Sequence, residues 1–245
     1  RLGTWIVKNS CTYFGFRVEF EDMEAVKAAG PSVFIVEPHS VFPVTLFWGT
    51  LDVLPNHTIL CCGSSALFYV PMAKHILTWA GLVSADKKTM VKYLQDGYSL
   101  NVCPGGVQEV RYLANRNECV MYLRARTGIV RLALEQGVCM IPSISFGLHN
   151  AYDYYVIDND FVNNLGRKLG FFPMVFFGLF GIPFGQAKPC PLTVVVGKPL
   201  KMPHIAKPSA EEIKKYQTVF LDAIEKLYED HKDQNGMSDI KLRII

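Results

Sequence analysis

The chain has 245 residues, of which 50% are hydrophobic and 19% charged, with a formal net charge of +3. The length suits one large domain or two small ones and is ample for a core. The charged fraction is too high for a polytopic membrane protein, and the spread of basic residues without a dense run argues against nucleic acid, while a membrane surface stays open. Cysteines at 11, 61, 62, 103, 119, 139 and 190 are odd in number and match no zinc spacing. They read as reduced thiols in a compartment facing the cytosol. The first residue is Arg1 rather than Met, so the expectation is a fragment, with an anchor or targeting segment upstream left open.

The first element is an apolar run at 33–36, which reads as a buried strand. It runs straight into Glu37-Pro38-His39-Ser40, and the chain is apolar again through Val41 and Phe42. A second such strand is expected at 58–62. Residues 65–80 follow, carrying Leu67, Phe68, Tyr69, Val70, Met72, Ile76, Leu77 and Trp79, either a membrane-facing or substrate-lining element or a core helix. A helix at 87–95 stops at Gly97, and a strand at 99–103 leads into Pro104-Gly105-Gly106. A helix is predicted over 122–136, stopping at Gly137, and a strand over 138–144. From 169 to 185 the only breaks in an apolar run are Gly and Pro, with Phe at 171, 172, 176, 177, 180 and 184. A transmembrane helix needs ~20 apolar residues, and Pro173 and Pro183 interrupt this run, so it reads as an interfacial or re-entrant segment, or else as a loop packed on the core. A last strand is expected at 192–196. Ser209 and Glu212 then form a capping box for a helix whose stripe is Ile213, Tyr216, Phe220, Ile224 and Leu227. Beyond His231 the tail is polar and expected to fray. Strands alternating with helices predict one α/β layered domain over 1–245 with a largely parallel sheet flanked by helices.

Ligands of open α/β sheets bind at the carboxyl ends of strands. If these strands are parallel neighbours, Glu37, His39 and Ser40, then Pro104 to Gly106 with Glu109, then Phe146-Gly147 and His149, and finally Gly197-Lys198 converge on one edge. An imidazole changes charge near neutral pH, so His39 is a candidate general base, with Glu37 and Glu109 as candidate carboxylate partners. The glycine pair is either a simple turn or a nest of N–H groups for an oxyanion or phosphate. Arg124, Arg126 and Arg131 read either as a solvated helix face or as cations for an anionic cofactor such as a coenzyme A phosphate. Cys103 could alternatively be a nucleophile, although a strand-end thiol is more often packed. No G-x-S-x-G, H-E-x-x-H, P-loop or G-x-G-x-x-G is present, so hydrolase, zinc-protease, nucleotide-phosphatase and dehydrogenase readings have no residues to carry them.

Taken together, Glu37-Pro38-His39-Ser40, Pro104-Gly105-Gly106-Val107-Gln108-Glu109, Arg126-Thr127-Gly128-Ile129 running on to Pro142 and Phe146-Gly147, and Gly197-Lys198-Pro199-Leu200 resemble the type 2 diacylglycerol O-acyltransferase family. That family includes the monoacylglycerol and wax-alcohol acyltransferases. The resemblance runs from about Phe14 to about Tyr228. It implies a glycerolipid-acyltransferase-like fold with a membrane-associating segment, in an enzyme of the endoplasmic reticulum membrane, facing the cytosol, and of the lipid-droplet surface. It implies transfer of a fatty acyl group from acyl-CoA, a donor substrate rather than a bound cofactor, to diacylglycerol, giving triacylglycerol. His39 falls on the second histidine of the family's His-Pro-His-Gly block, the one taken as catalytic; Glu37 stands for the first and Ser40 for the glycine. Related glycerolipid acyltransferases place Asp five residues after this histidine. Here that residue is Val44, so the acid is expected elsewhere, at Glu109. Leu148-His149 departs from the acidic and amide residues that the family commonly has there.

The implied mechanism makes His39 the base, Glu109 its orienting or charge-balancing partner, and amides near Gly105 and Gly106 the oxyanion donors. Pro104, Ser40, Arg126 and Arg131 line the acyl-CoA site. No metal is required, because coenzyme A leaves as a good thiolate. Monoacylglycerol or a fatty alcohol is an alternative acceptor, a non-catalytic lipid-binding or lipid-droplet scaffold an alternative function, and a homo-oligomer is left open.

Overall fold

A computed structural model describes residues 2–51, 53–55, 57–69, 73–114, 117–156 and 174–245. Its strands in chain order are β1 (Arg17–Phe20), β2 (Ser32–Glu37), β3 (Ile59–Gly63), β4 (Leu82–Ser84), β5 (Ser99–Val102), β6 (Glu118–Met121), β7 (Cys139–Phe146), β8 (Asp153–Val156), β9 (Met174–Phe177), β10 (Thr193–Val196) and β11 (Lys241–Ile244). The helices are α1 (Leu2–Tyr13), α2 (Met23–Ala28), α3 (Ala73–Trp79), α4 (Lys87–Gln95), α5 (Val107–Val110), α6 (Thr127–Gln136) and α7 (Ala210–His231).

A seven-stranded sheet in the order β1-β10-β7-β2-β5-β3-β4 organises the fold. β7, β2, β5, β3 and β4 run parallel. β2 and β7 are buried along their whole length, as parallel strands covered on both faces must be, and this is why their sequences are continuous apolar runs. Alternate residues of β2 serve the two faces. Val33 and Ile35 enter the core that α4, α6 and α7 cover, with Met90, Leu134, Phe220 and Ile224. Phe34 and Val36 enter a second core with Val26, Leu46 and Trp48. Asp86 caps α4 by accepting the Thr89 N–H at 3.0 Å. The capping box of α7 is complete, with Glu212 N–H donating to Ser209 Oγ at 3.1 Å and Ser209 N–H to Glu212 Oε2 at 2.8 Å. Each α7 residue buried as fully as Phe220 contributes ~1.5–3 kcal/mol. All seven cysteines are free, five of them buried.

Four expectations are corrected. β10 pairs antiparallel with β7, placing Thr193 opposite Phe146 and Val196 opposite Ser143. Gly197 and Lys198 therefore lie at the opposite sheet edge from the carboxyl ends of β2 and β5. The helix expected at 122–136 begins only at Thr127, because Arg126 has non-helical φ −94° and ψ 56° and residues 118–121 are a strand. The tail does not fray: β11 pairs in parallel with β6, from Lys241 opposite Glu118 to Ile244 opposite Met121. Of 65–80, the described residues form a 3-10 turn, Ser65–Tyr69, and the short α3, with Leu67, Tyr69, Ile76 and Trp79 exposed, which sets aside the core-helix alternative.

Residues 169–173 of the Phe-rich run lie outside the described residues. The rest of it forms β9, which pairs antiparallel with β8, and a turn that exposes Phe180, Ile182 and Phe184. Among the described residues no helix is long and apolar enough to cross a membrane.

Candidate active site

Parallel pairing of β2 with β5 sets their carboxyl ends side by side. Glu37 ends β2, and its side chain is fully buried. A carboxyl group there must be hydrogen-bonded. Its Oε1 accepts the Gly105 N–H at 2.8 Å, and its Oε2 accepts the Cys103 thiol at 3.1 Å. Glu109, on α5, is buried as well. Its Oε2 accepts the backbone N–H of His39 at 2.7 Å, and its Oε1 accepts the backbone N–H of Tyr122 at 2.8 Å. One carboxylate thus ties the loop after β2, α5 and the stretch after β6 together.

Ligand atoms of Glu37, Cys103 and Glu109 lie within 4.8 Å of one another. All four carboxyl oxygens already accept hydrogen bonds, so the cluster is organised around protons. Burial, and then the charge of Glu109, holds the Glu37 carboxyl well above the usual carboxylate range. Burial also pushes Glu109 up to about 7, against the pull of the His39 and Tyr122 N–H groups, of Glu37 and of Arg126. Of the two, Glu37 is the one that keeps its proton near neutral pH.

The His39 ring is oriented by its neighbour, with Nδ1 2.9 Å from the Ser40 carbonyl oxygen. A carbonyl only accepts, so Nδ1 carries the hydrogen and Nε2 keeps its lone pair. Burial lowers the His39 pKa, which favours the neutral ring. Ser40 has φ +55°, a left-handed backbone that suits glycine, the residue the resembled block carries at this point.

The expected partnership of Glu109 with the His39 ring is corrected: Glu109 grips the backbone of His39, and the ring answers to Ser40. The oxyanion role expected of the glycine pair is corrected too. The Gly105 N–H is taken up by Glu37, and the Gly106 N–H lies against the Cys103 sulfur. Cys103 itself is a donor whose thiol is pushed well above its ordinary value, by burial first and then by Glu37, the reverse of what a nucleophile needs. The Ser40 hydroxyl turns inward to the Leu148 carbonyl at 3.4 Å. Pro104 leads the turn into Gly105. Arg126 joins the site, its Nη2 3.4 Å from the Gly105 carbonyl and its guanidinium 5.1 Å from the Tyr122 ring centre. Arg131 is exposed on α6, and Arg124 donates its Nε–H to the Ile244 carbonyl at 3.0 Å instead.

A cavity of about 90 Å³ lies behind the loop, walled by Pro38, Ser40, Glu109, Leu148, His149 and Tyr154 among others; His39 is not in its wall. Phe42, three residues beyond His39, packs edge-on against Phe176 of β9 at 5.3 Å and Tyr152 at 5.7 Å. Sequence reasoning missed the Tyr122 amide and the donor role of Cys103. Only the need of two buried carboxyl groups for donors hints at them.

The fold is similar to that of the 1-acyl-sn-glycerophosphate acyltransferase of Thermotoga maritima, whose crystal structure superposes with a TM-score of 0.55, over 93% of this chain and 77% of that one, at 14% identity. Among curated relatives, acyl-CoA wax alcohol acyltransferase 2 of Mus musculus is 30% identical over 87% of this chain and 69% of its own. Human 2-acylglycerol O-acyltransferase 3 is 29% identical over 71% of this chain and 54% of its own. Diacylglycerol O-acyltransferase 2 of Rattus norvegicus is 27% identical over 71% and 48%. The diacylglycerol acyltransferase family profile matches residues 3–244, and the chain belongs to that family.

Proposed function

We propose that this acyltransferase takes a fatty acyl group from acyl-CoA and places it on the free hydroxyl of diacylglycerol, making triacylglycerol at the cytosolic face of the endoplasmic reticulum and at lipid droplets. The observation that carries the reading is the state of His39. Its Nδ1–H is fixed on the Ser40 carbonyl, its backbone is fixed on buried Glu109, and burial favours the neutral ring. Nε2 then takes the proton from the acceptor hydroxyl as the oxygen attacks the thioester carbonyl, and returns it to the departing coenzyme A thiolate. Acyl-CoA enters as a substrate, with Arg126 beside the Gly105 turn as a cation for its phosphates. The exposed turn with Phe180, Ile182 and Phe184 offers an apolar surface to lipid, and Phe176 of the same hairpin touches the loop of His39 through Phe42.

The test is acyl transfer by membranes expressing the full-length chain. Labelled acyl-CoA is supplied with diacylglycerol, monoacylglycerol or a fatty alcohol, and wild type is compared with His39→Ala at matched protein levels. Triacylglycerol formation that falls ~10²–10⁴-fold in the variant supports the reading. A preference for monoacylglycerol or fatty alcohol moves the acceptor, and wild type making no ester from any acceptor sinks it.

A further inference from the structure

Glu109 Oε1 accepts the backbone N–H of Tyr122. Tyr122 follows the end of β6 and belongs to no helix or sheet, so something else must hold it. Its neighbours are held from behind. The Ile245 N–H donates to the Met121 carbonyl at 2.9 Å, and the Arg124 N–H donates to the Ile245 carbonyl at 2.8 Å. Arg124 Nε–H adds a bond to the Ile244 carbonyl. The Gln217 side-chain amide, reaching across from α7, donates to the Leu123 carbonyl at 3.1 Å and to the Arg124 carbonyl at 2.8 Å.

Two features mark this arrangement as more than packing. Gln217 is a buried amide on a helix face that otherwise buries Ile213, Phe220, Leu221, Ile224 and Leu227. Leu or Met would fill that place without any polar group to satisfy. β11, for its part, pairs with β6 alone and adds nothing to the seven-stranded sheet. Leu242 and Ile244 pack on the main core, and Arg243 is paired to Glu118 at 3.0 Å and lies 5.5 Å from the Tyr112 ring centre.

We infer that Gln217 and the β11–Ile245 segment form a clamp on residues 121–124, which holds the Tyr122 N–H on Glu109 and thereby positions the His39 loop. This inference rests on the acyl-transfer reading for its kinetic consequence only. Releasing the clamp draws the Tyr122 N–H away from a buried carboxylate oxygen. Glu109 then holds its proton more tightly, and its grip on the His39 backbone weakens. The ionisable groups facing Glu109 are Glu37 from β2, His39 from the loop, Cys103 beyond β5, Cys119 from β6 and Arg126, with Tyr112, Glu118, His149 and Tyr154 sharing the cavity. The clamp meets two of these directly: Leu242 of β11 pairs with Cys119, and Arg243 is bridged to Glu118.

Gln217→Met and Ile245→Pro, in the full-length chain, remove the two halves of the clamp separately. The expected result is a fall in kcat of roughly tenfold, less than the ~10²-fold that a full 1 Å displacement costs, with KM for acyl-CoA unchanged. The acid limb of the pH–rate profile moves up by about one unit, as expected when a charged group loses part of a hydrogen bond. A purely structural role lowers thermal stability and leaves that limb where it was, and a coincident limb in both variants overturns the inference. Hydrogen exchange gives a second readout that needs no activity. In the wild type at low denaturant, peptides spanning 105–112 and 121–124 must open together. Independent opening overturns the inference even if neither variant folds. If wild type forms no ester, the functional reading falls and the exchange result still decides the clamp.

Discussion

Replacing Gly105 with alanine tests the site at its tightest point. The backbone of Gly105 is not left-handed, so alanine meets no conformational barrier there. The obstacle is Glu109: a Cβ at position 105 would overlap its Oε1 and lie 2.9 Å from its Cγ, whereas ordinary contact begins at 3.4 Å. The carboxyl group must therefore move by more than an ångström. It cannot do so and keep the His39 N–H at 2.7 Å and the Tyr122 N–H at 2.8 Å. Overpacking of this kind costs ~1–3 kcal/mol of stability. A 1 Å displacement of the catalytic loop costs ~10²-fold in rate. The assay is kcat for acyl transfer beside a thermal unfolding curve. Gly128→Ala is the control: its Cβ has nothing within 4 Å and it sits on α6, so it should gain ~0.4–1 kcal/mol and keep its rate. The double variant Gly105→Ala/Glu109→Ala sharpens the test. Once the carboxyl is gone the methyl fits, so the second substitution adds nothing to the first. Wild-type kcat in Gly105→Ala, or strict additivity in the double variant, would refute this account of the glycine.

Three further outcomes follow from the same geometry. Glu109 is an acid raised from its ordinary 4.5 to about 7, so the folded chain binds more protons than the unfolded one in that window. Its stabilising effect is complete below 4.5 and is lost as pH rises to about 7; denaturant titrations at several pH values should show a steeper slope in wild type than in Glu109→Gln, where Glu37, raised as well, keeps part of it. Cys103→Ser leaves a hydroxyl to donate to Glu37, so ester formation should stay within about threefold of wild type by the usual worth of one neutral hydrogen bond, and a loss beyond 10²-fold would restore the nucleophile reading. Phe180→Asp with Phe184→Asp puts charge on side chains 89% and 64% exposed; binding of the described domain to lipid vesicles should fall at least tenfold with an unchanged unfolding curve, and unchanged binding would remove the hairpin from the membrane contact.

Much of the sheet can be read from sequence because parallel strands buried on both faces cannot hide: residues 33–36 and 138–142 are apolar without alternation. Their ends also draw attention, since a carboxyl group at Glu37 after such a run must find donors. Strand direction leaves no such trace. Thr193–Val196 has the composition of an interior parallel strand, yet it runs antiparallel to β7 and carries Gly197-Lys198 to the other end of the sheet. β6 and β11 are four residues each and meet across some 120 positions, so neither has a local signal. The site divides in the same manner. That His39, Glu37 and Glu109 belong together follows from residue type and position. That Glu109 holds the backbone of His39 while Ser40 fixes the ring is a matter of φ, ψ and ångströms.

The seven free thiols give the fold a clock of its own. Burial raises every one of them, from Cys11 at about 11 and Cys62 at about 12 to the deeper Cys61 and Cys119. Near neutral pH almost none is thiolate, and an alkylating reagent reaches the five buried thiols when their segments open. Cys61 and Cys62 on β3, Cys119 on β6 and Cys139 on β7 report on separate parts of the domain. Mass-resolved labelling would therefore time the opening of each strand in the unmodified protein, with no probe to install.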